Sequence, residues 1–157
     1  MENFFEKQQV NSTVKTLKPS QLTIFELKFN KNGEMKRDWE IIRTILLKLE
    51  EAPTANTVLT PEKIPDFPEQ EIAYNMRLLY QAGFIEGIFR ESKFGNGAIH
   101  AAIATHMTNS GHELLDIIRS EPVWIQIKDT FKSKALDMTF DLVLAVGKKI
   151  IAALLDI

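Results

Sequence analysis

The sequence predicts a mainly α fold carrying one small antiparallel β-hairpin, and three observations lead there. Two runs of apolar residues recur at helical spacing between start and stop signals. A glycine then ends the second run and opens a stretch rich in β-formers, tipped by Gly95-Asn96-Gly97. The C-terminal third returns to helical spacing and is strongly apolar.

Along the chain, residues 1–20 are polar and read as an arm. Leu22 to Phe29 is rich in β-formers and partly alternates, a short strand signal, and Asn32-Gly33 follows as a turn. Residues 1–34 therefore read as an arm or appended segment, with a domain starting at Met35-Lys-Arg-Asp38. The first helix is expected over 38–51. Asp38 suits its N-cap, Trp39, Ile42, Ile45, Leu46 and Leu49 form one buried stripe, and Pro53 stops it. A β-like stretch at 57–59 and a helical turn from Thr60-Pro61-Glu62 come next, since proline suits a first helical position.

The second helix is expected over 68–82, opened by Pro68 and ended by Gly83, with Glu69 and Glu71 complementing its positive end. Ile72, Ala73, Met76, Leu79 and Tyr80 are assigned to its core face. Tyr74, Asn75, Arg77, Leu78 and Gln81 are assigned elsewhere. Residues 84–90 and 98–107 form the two arms of the hairpin. Thr108 or Asn109 caps a helix that buries Leu114, Leu115 and Ile118. Ser120-Glu121-Pro122 restarts another, with Trp124, Ile127 and Phe131 on one side, and Asp137 or Thr139 begins the last. This is the element order of a winged helix-turn-helix over 35–120, followed by a helical extension over 121–157.

Composition narrows the function classes. An apolar fraction of 45% with 25% charged residues is ordinary for a globular chain, and the absence of cysteine removes disulfides, thiol nucleophiles and cysteine-based zinc sites. His100, His106 and His112 stand six apart, which is neither helical nor strand ligand spacing. No nucleophile motif, phosphate loop or paired-carboxylate arrangement is present. Neither a metal, a cofactor nor enzyme activity is expected. The opening Met1-Glu-Asn-Phe-Phe-Glu lacks a basic region followed by an apolar run, so a cytoplasmic location is expected. Net charge is −2; five lysines against four acids in residues 1–34 leave −3 for the remainder. A domain that grips phosphates usually carries a basic excess instead.

Two local motifs sharpen the fold. Leu79-Tyr-Gln-Ala-Gly83-Phe-Ile85 resembles the exit from the recognition helix in MarR- and PadR-type regulators. Ile103-Ala-Thr-His-Met107-Thr108-Asn-Ser-Gly111-His-Glu-Leu114 resembles their step from wing to next helix, with Met107 where leucine is usual. The segments Met35-Lys-Arg-Asp-Trp-Glu-Ile-Ile-Arg43, Glu71-Ile-Ala-Tyr-Asn-Met-Arg-Leu-Leu79, Gly111-His-Glu-Leu-Leu-Asp116 and Ile118-Arg-Ser-Glu-Pro-Val-Trp124 further resemble an uncharacterised bacterial and phage family. That resemblance runs from Met35 to the C-terminus. It implies a winged helix and frequent residence in prophages, with no established activity.

Duplex DNA is the first partner such a fold suggests. The second helix would enter the major groove, where Gln70, Tyr74, Asn75, Arg77 and Gln81 would meet base edges. Arg90, Lys93 and Asn96 on the wing would meet the backbone or minor groove. Glu69 and Glu71 oppose this by repelling phosphates. The alternative is a protein-binding adaptor or inhibitor of a host complex. The last helix, from Phe140, carries apolar residues on two sides, so it is expected either in a homodimer interface through Val143, Leu144, Ile151, Leu154 and Leu155, or buried between layers, or against a membrane surface through Lys148 and Lys149. Its charges argue against a membrane span.

Overall fold

The computed structural model describes residues 35–95 and 97–157; the arm over 1–34, its strand at 22–29 and the tip residue Asn96 lie outside the described residues. Helix α1 (Trp39–Glu50) starts where Asp38 takes extended backbone and its Oδ1 accepts from the N–H groups of Glu40 and Ile41, at 2.8 and 3.1 Å. A cap of this kind contributes about 1 kcal/mol. The helix buries Ile41, Ile42, Ile45, Leu46 and Leu49.

The β-like stretch becomes a single antiparallel bridge: Leu59 and Ala104 exchange two backbone hydrogen bonds of 2.8 and 2.9 Å. The turn after Thr60 is a 3₁₀ turn, Pro61–Lys63, that buries Pro61. Helix α2 (Glu69–Gln81) follows and ends at Gly83, whose φ of 79° lets Phe84 N–H fold back onto the Leu79 carbonyl at 2.9 Å. Strands β1 (Ile85–Glu91) and β2 (Ile99–Met107) then pair antiparallel, with irregularities at Glu86/Gly87 and Arg90/Glu91.

Thr108 joins the hairpin to helix α3 (Asn109–Ile118). Its hydroxyl donates to the Gly83 carbonyl at 2.6 Å and accepts from Gly111 N–H at 3.1 Å. Helices α4 (Glu121–Lys134) and α5 (Phe140–Leu154) complete the order, α5 capped by Thr139. The result is a mainly α, winged-helix-like arrangement with the expected elements in the expected order.

One core serves all of it. Ile41, Ile45, Leu46, Ile72, Met76, Leu79, Ile85, Leu114, Leu115, Trp124, Ile127 and Val143 belong to a single buried cluster. Full burial of each large side chain stabilises by about 1.5–3 kcal/mol. Trp39 sits at a junction, 5.8 Å from the Trp124 ring and 5.3 Å from Phe140, which in turn lies 4.9 Å from Phe84.

Three side-chain assignments are corrected here. Tyr80, expected in the core, is 42% exposed and stacks on Phe89 at 5.0 Å. Asn75, expected outside, is fully buried. The interior needs a polar group at that point, because α1 begins beside α2 and its capping segment brings an unsatisfied N–H with it. Val143, expected at a dimer interface, is also fully buried within the chain's own core, and Leu144 and Ile151 are half-buried against it. The reason is Gly147, which lets α5 approach so closely that a Cβ there would overlap the Ile117 side chain.

Candidate functional site

The face expected to carry recognition is built by α2 and the hairpin, and its polar side chains divide into engaged and exposed groups. Asn75 is wholly engaged. Its Oδ1 accepts from Asp38 N–H at 2.9 Å, and its Nδ2 donates to the carbonyls of Glu71 and Lys36 at 2.9 and 3.3 Å. It cannot reach a base edge. That corrects its assignment to the binding face.

Gln70 lies at the surface, yet its amide faces the wing. Nε2 donates to the Ile99 carbonyl and Oε1 accepts from Ile99 N–H, both at 3.1 Å. This side chain copies the backbone pairing of a strand and fastens α2 to the end of β2. Arg77 forms an ion pair with Glu91 of β1 and lies 5.4 Å from the centre of the Tyr74 ring. Its guanidinium is thus neutralised where a duplex would approach. Gln81, Arg90 and Lys93 remain exposed, and neither cation makes an ion pair among the described residues. Tyr74 is half-buried.

Residues 69–95, which form α2, β1 and the start of the hairpin turn, carry more acidic side chains than basic ones: Glu69, Glu71, Glu86 and Glu91 against Arg77, Arg90 and Lys93. Burial, and then the neighbouring Asp38 carboxylate, push the Glu71 carboxyl above its ordinary range. Glu62 on the 3₁₀ turn is held below its ordinary range, chiefly by a hydrogen bond from Thr60.

A groove of about 280 Å³ opens between that turn, the start of α2 and strand β2. Glu62, Glu69 and Gln70 line it on one side, and Ile99 to Ile103 on the other. Sequence reasoning did not assemble it, because its walls come from three separated segments. Only the acidic run at the start of α2 gave a signal. Among the described residues no cluster of histidine and carboxylate side chains could hold a metal ion.

Residues 36–137 match the family described as "Hypothetical protein (DUF2513)". The chain belongs to that family. It is also 40% identical over 121 residues to an "Uncharacterized protein" of Haemophilus influenzae, covering 77% of this chain and 99% of the relative. No solved structure matches the chain. The DUF2513 region opens on Lys36-Arg-Asp-Trp39, and the geometry gives that motif a structural task. Arg37 Nη1 and Trp39 Nε1 both donate to the Met138 carbonyl, at 3.1 and 3.0 Å, and Arg37 lies 4.6 Å from the centre of the Phe140 ring. Further along, Trp124 Nε1 donates to Glu40 at 3.2 Å. The start of the DUF2513 region therefore holds the α4–α5 connection against α1.

Proposed function

We propose that this winged-helix-like domain is a protein-binding adaptor or inhibitor. One observation carries the reading. On the face where a groove-reading helix would need exposed, uncompensated donors, Asn75 is buried, Gln70 and Arg77 are bound to the wing, and Glu62 and Glu69 stand exposed. Such a face repels phosphates and suits a partner with basic and apolar groups. Photo-crosslinking groups placed singly at Tyr74, Gln81 and, as control, Lys132 test it in the source cell. A discrete protein adduct from the first two positions and none from the third is expected. Nucleic-acid adducts from Tyr74 or Gln81 would overturn it.

The element order supports a second reading: a cytoplasmic, phage-type transcriptional regulator that binds duplex DNA through Tyr74, Gln81, Arg90 and Lys93, as a dimer through the end of α5. Anisotropy with a random duplex at low salt separates the two. The adaptor reading expects no binding at micromolar protein. Binding that weakens steeply with salt, and falls in R90A/K93A, would establish the regulator instead.

A further inference from the structure

The groove beside β2 carries an inference that rests on the adaptor reading and names the chemistry of the partner. We propose that it receives a short extended segment of a protein partner bearing an arginine or lysine side chain.

Backbone geometry supplies the first half of the argument. In an antiparallel strand, N–H and C=O groups point to alternating sides. Ala104 turns both of its groups toward Leu59, away from β1. Ala102, two residues earlier with no irregularity between, turns its groups the same way, into the groove it lines. The edge of β2 is thus occupied at one end by Leu59 and at the other by the Gln70 amide on Ile99. Between them, Ala102 N–H and C=O make no hydrogen bond outside the β1–β2 pairing among the described residues. A pair of this kind, turned into an open groove, accepts one residue of an incoming strand.

Charge supplies the second half. The two carboxylates lining the groove, Glu62 and Glu69, are exposed. Lys63, the adjacent cation, has its Nζ bonded to the Val58 carbonyl at 2.6 Å. The Gln70 amide, fixed on Ile99, is not available to satisfy either carboxylate. Ala73 and Ala102 are buried and small, which leaves depth for the stem of a long side chain. A basic residue in extended conformation meets all of these demands together; an acidic one meets none of the electrostatic ones.

The test is a chemical-shift titration of the ¹⁵N-labelled full chain with two capped tripeptides, acetyl-Val-Arg-Val-amide and acetyl-Val-Glu-Val-amide. The arginine peptide should shift the amides of Thr60, Ile99 and Ala102 and slow hydrogen exchange at Ala102. E62Q/E69Q, altered only at exposed side chains, should weaken it about twofold to thirtyfold, the range that two exposed ion pairs carry. Equal binding of both peptides, shifts confined to other surfaces, or no shifts would overturn the inference. Failure here with a protein crosslink at Tyr74 removes only the groove assignment. Salt-sensitive duplex binding removes the adaptor reading itself, so the two failures are distinct.

Discussion

Asn75 joins three segments through one amide, linking the cap of α1, the approach to it at Lys36, and the first turn of α2. Truncation leaves Asp38 N–H in the interior with no acceptor, and an orphaned buried donor costs about 1–3 kcal/mol. N75A should lower the unfolding free energy by that amount, read as a lower urea midpoint at unchanged slope; a loss under about 0.5 kcal/mol, within the range of neutral surface changes, would show the amide dispensable. Glu71 gives a pH prediction at the same scale. Its carboxyl is raised in the folded state, so the folded chain binds that proton more tightly than the unfolded one. The favourable contribution is complete below the unfolded value and disappears as pH rises through the folded one. E71Q should therefore melt higher than the parent at neutral pH, with the gap closing as pH falls below the ordinary carboxylate range. A gap that widens on acidification would show the opposite sign.

At the scale of elements, two glycines decide how α2 becomes a wing and the wing becomes α3. Gly83 has open space around it but a φ of 79°, so a side chain meets backbone strain alone. Gly111 has ordinary backbone but faces the Phe84 carbonyl, which a Cβ would overlap. G83A should cost about 1–2 kcal/mol, and G83N less, because asparagine tolerates left-handed backbone. G111A should cost more than G83A, since a backbone carbonyl cannot swing aside and overpacking typically costs about 1–3 kcal/mol before further rearrangement. Thermal melts of the three variants rank the two mechanisms, and G83N melting below G111A would reverse the assignment.

For the whole molecule, α5 is the element with surface to spare. Phe140, Val143 and Gly147 close it onto the core, whereas Leu154, Leu155 and Ile157 are 59%, 61% and 88% exposed. Among the described residues no helix is long and apolar enough to cross a membrane. If the C-terminal apolar end pairs with a second copy, L154E/L155E should convert a dimer to a monomer in light scattering, with an unchanged melting temperature for the isolated fold. Identical mass for parent and variant would remove the dimer from the proposed regulator.

How much of this was legible in the chain follows from the range of each interaction. Element types, caps and order were local: Asp38, Thr108, Thr139, Pro68 and Gly83 act within a few residues of themselves, and helix or strand periodicity needs only a window. Side-chain destinations near an interface were not. Asn75 and Tyr80 share the same helix, and which of them turned inward depended on the unsatisfied N–H that a separate helix brought alongside. Val143 was apolar in either reading, and only the close seat made by Gly147 placed it inside one chain. The groove at Ala102 required three distant segments to meet, which no local pattern encodes. Short-range hydrogen bonding and periodicity made the sequence sufficient for the elements; long-range packing, which pairs donors and fills volume across the chain, was settled only by the tertiary structure.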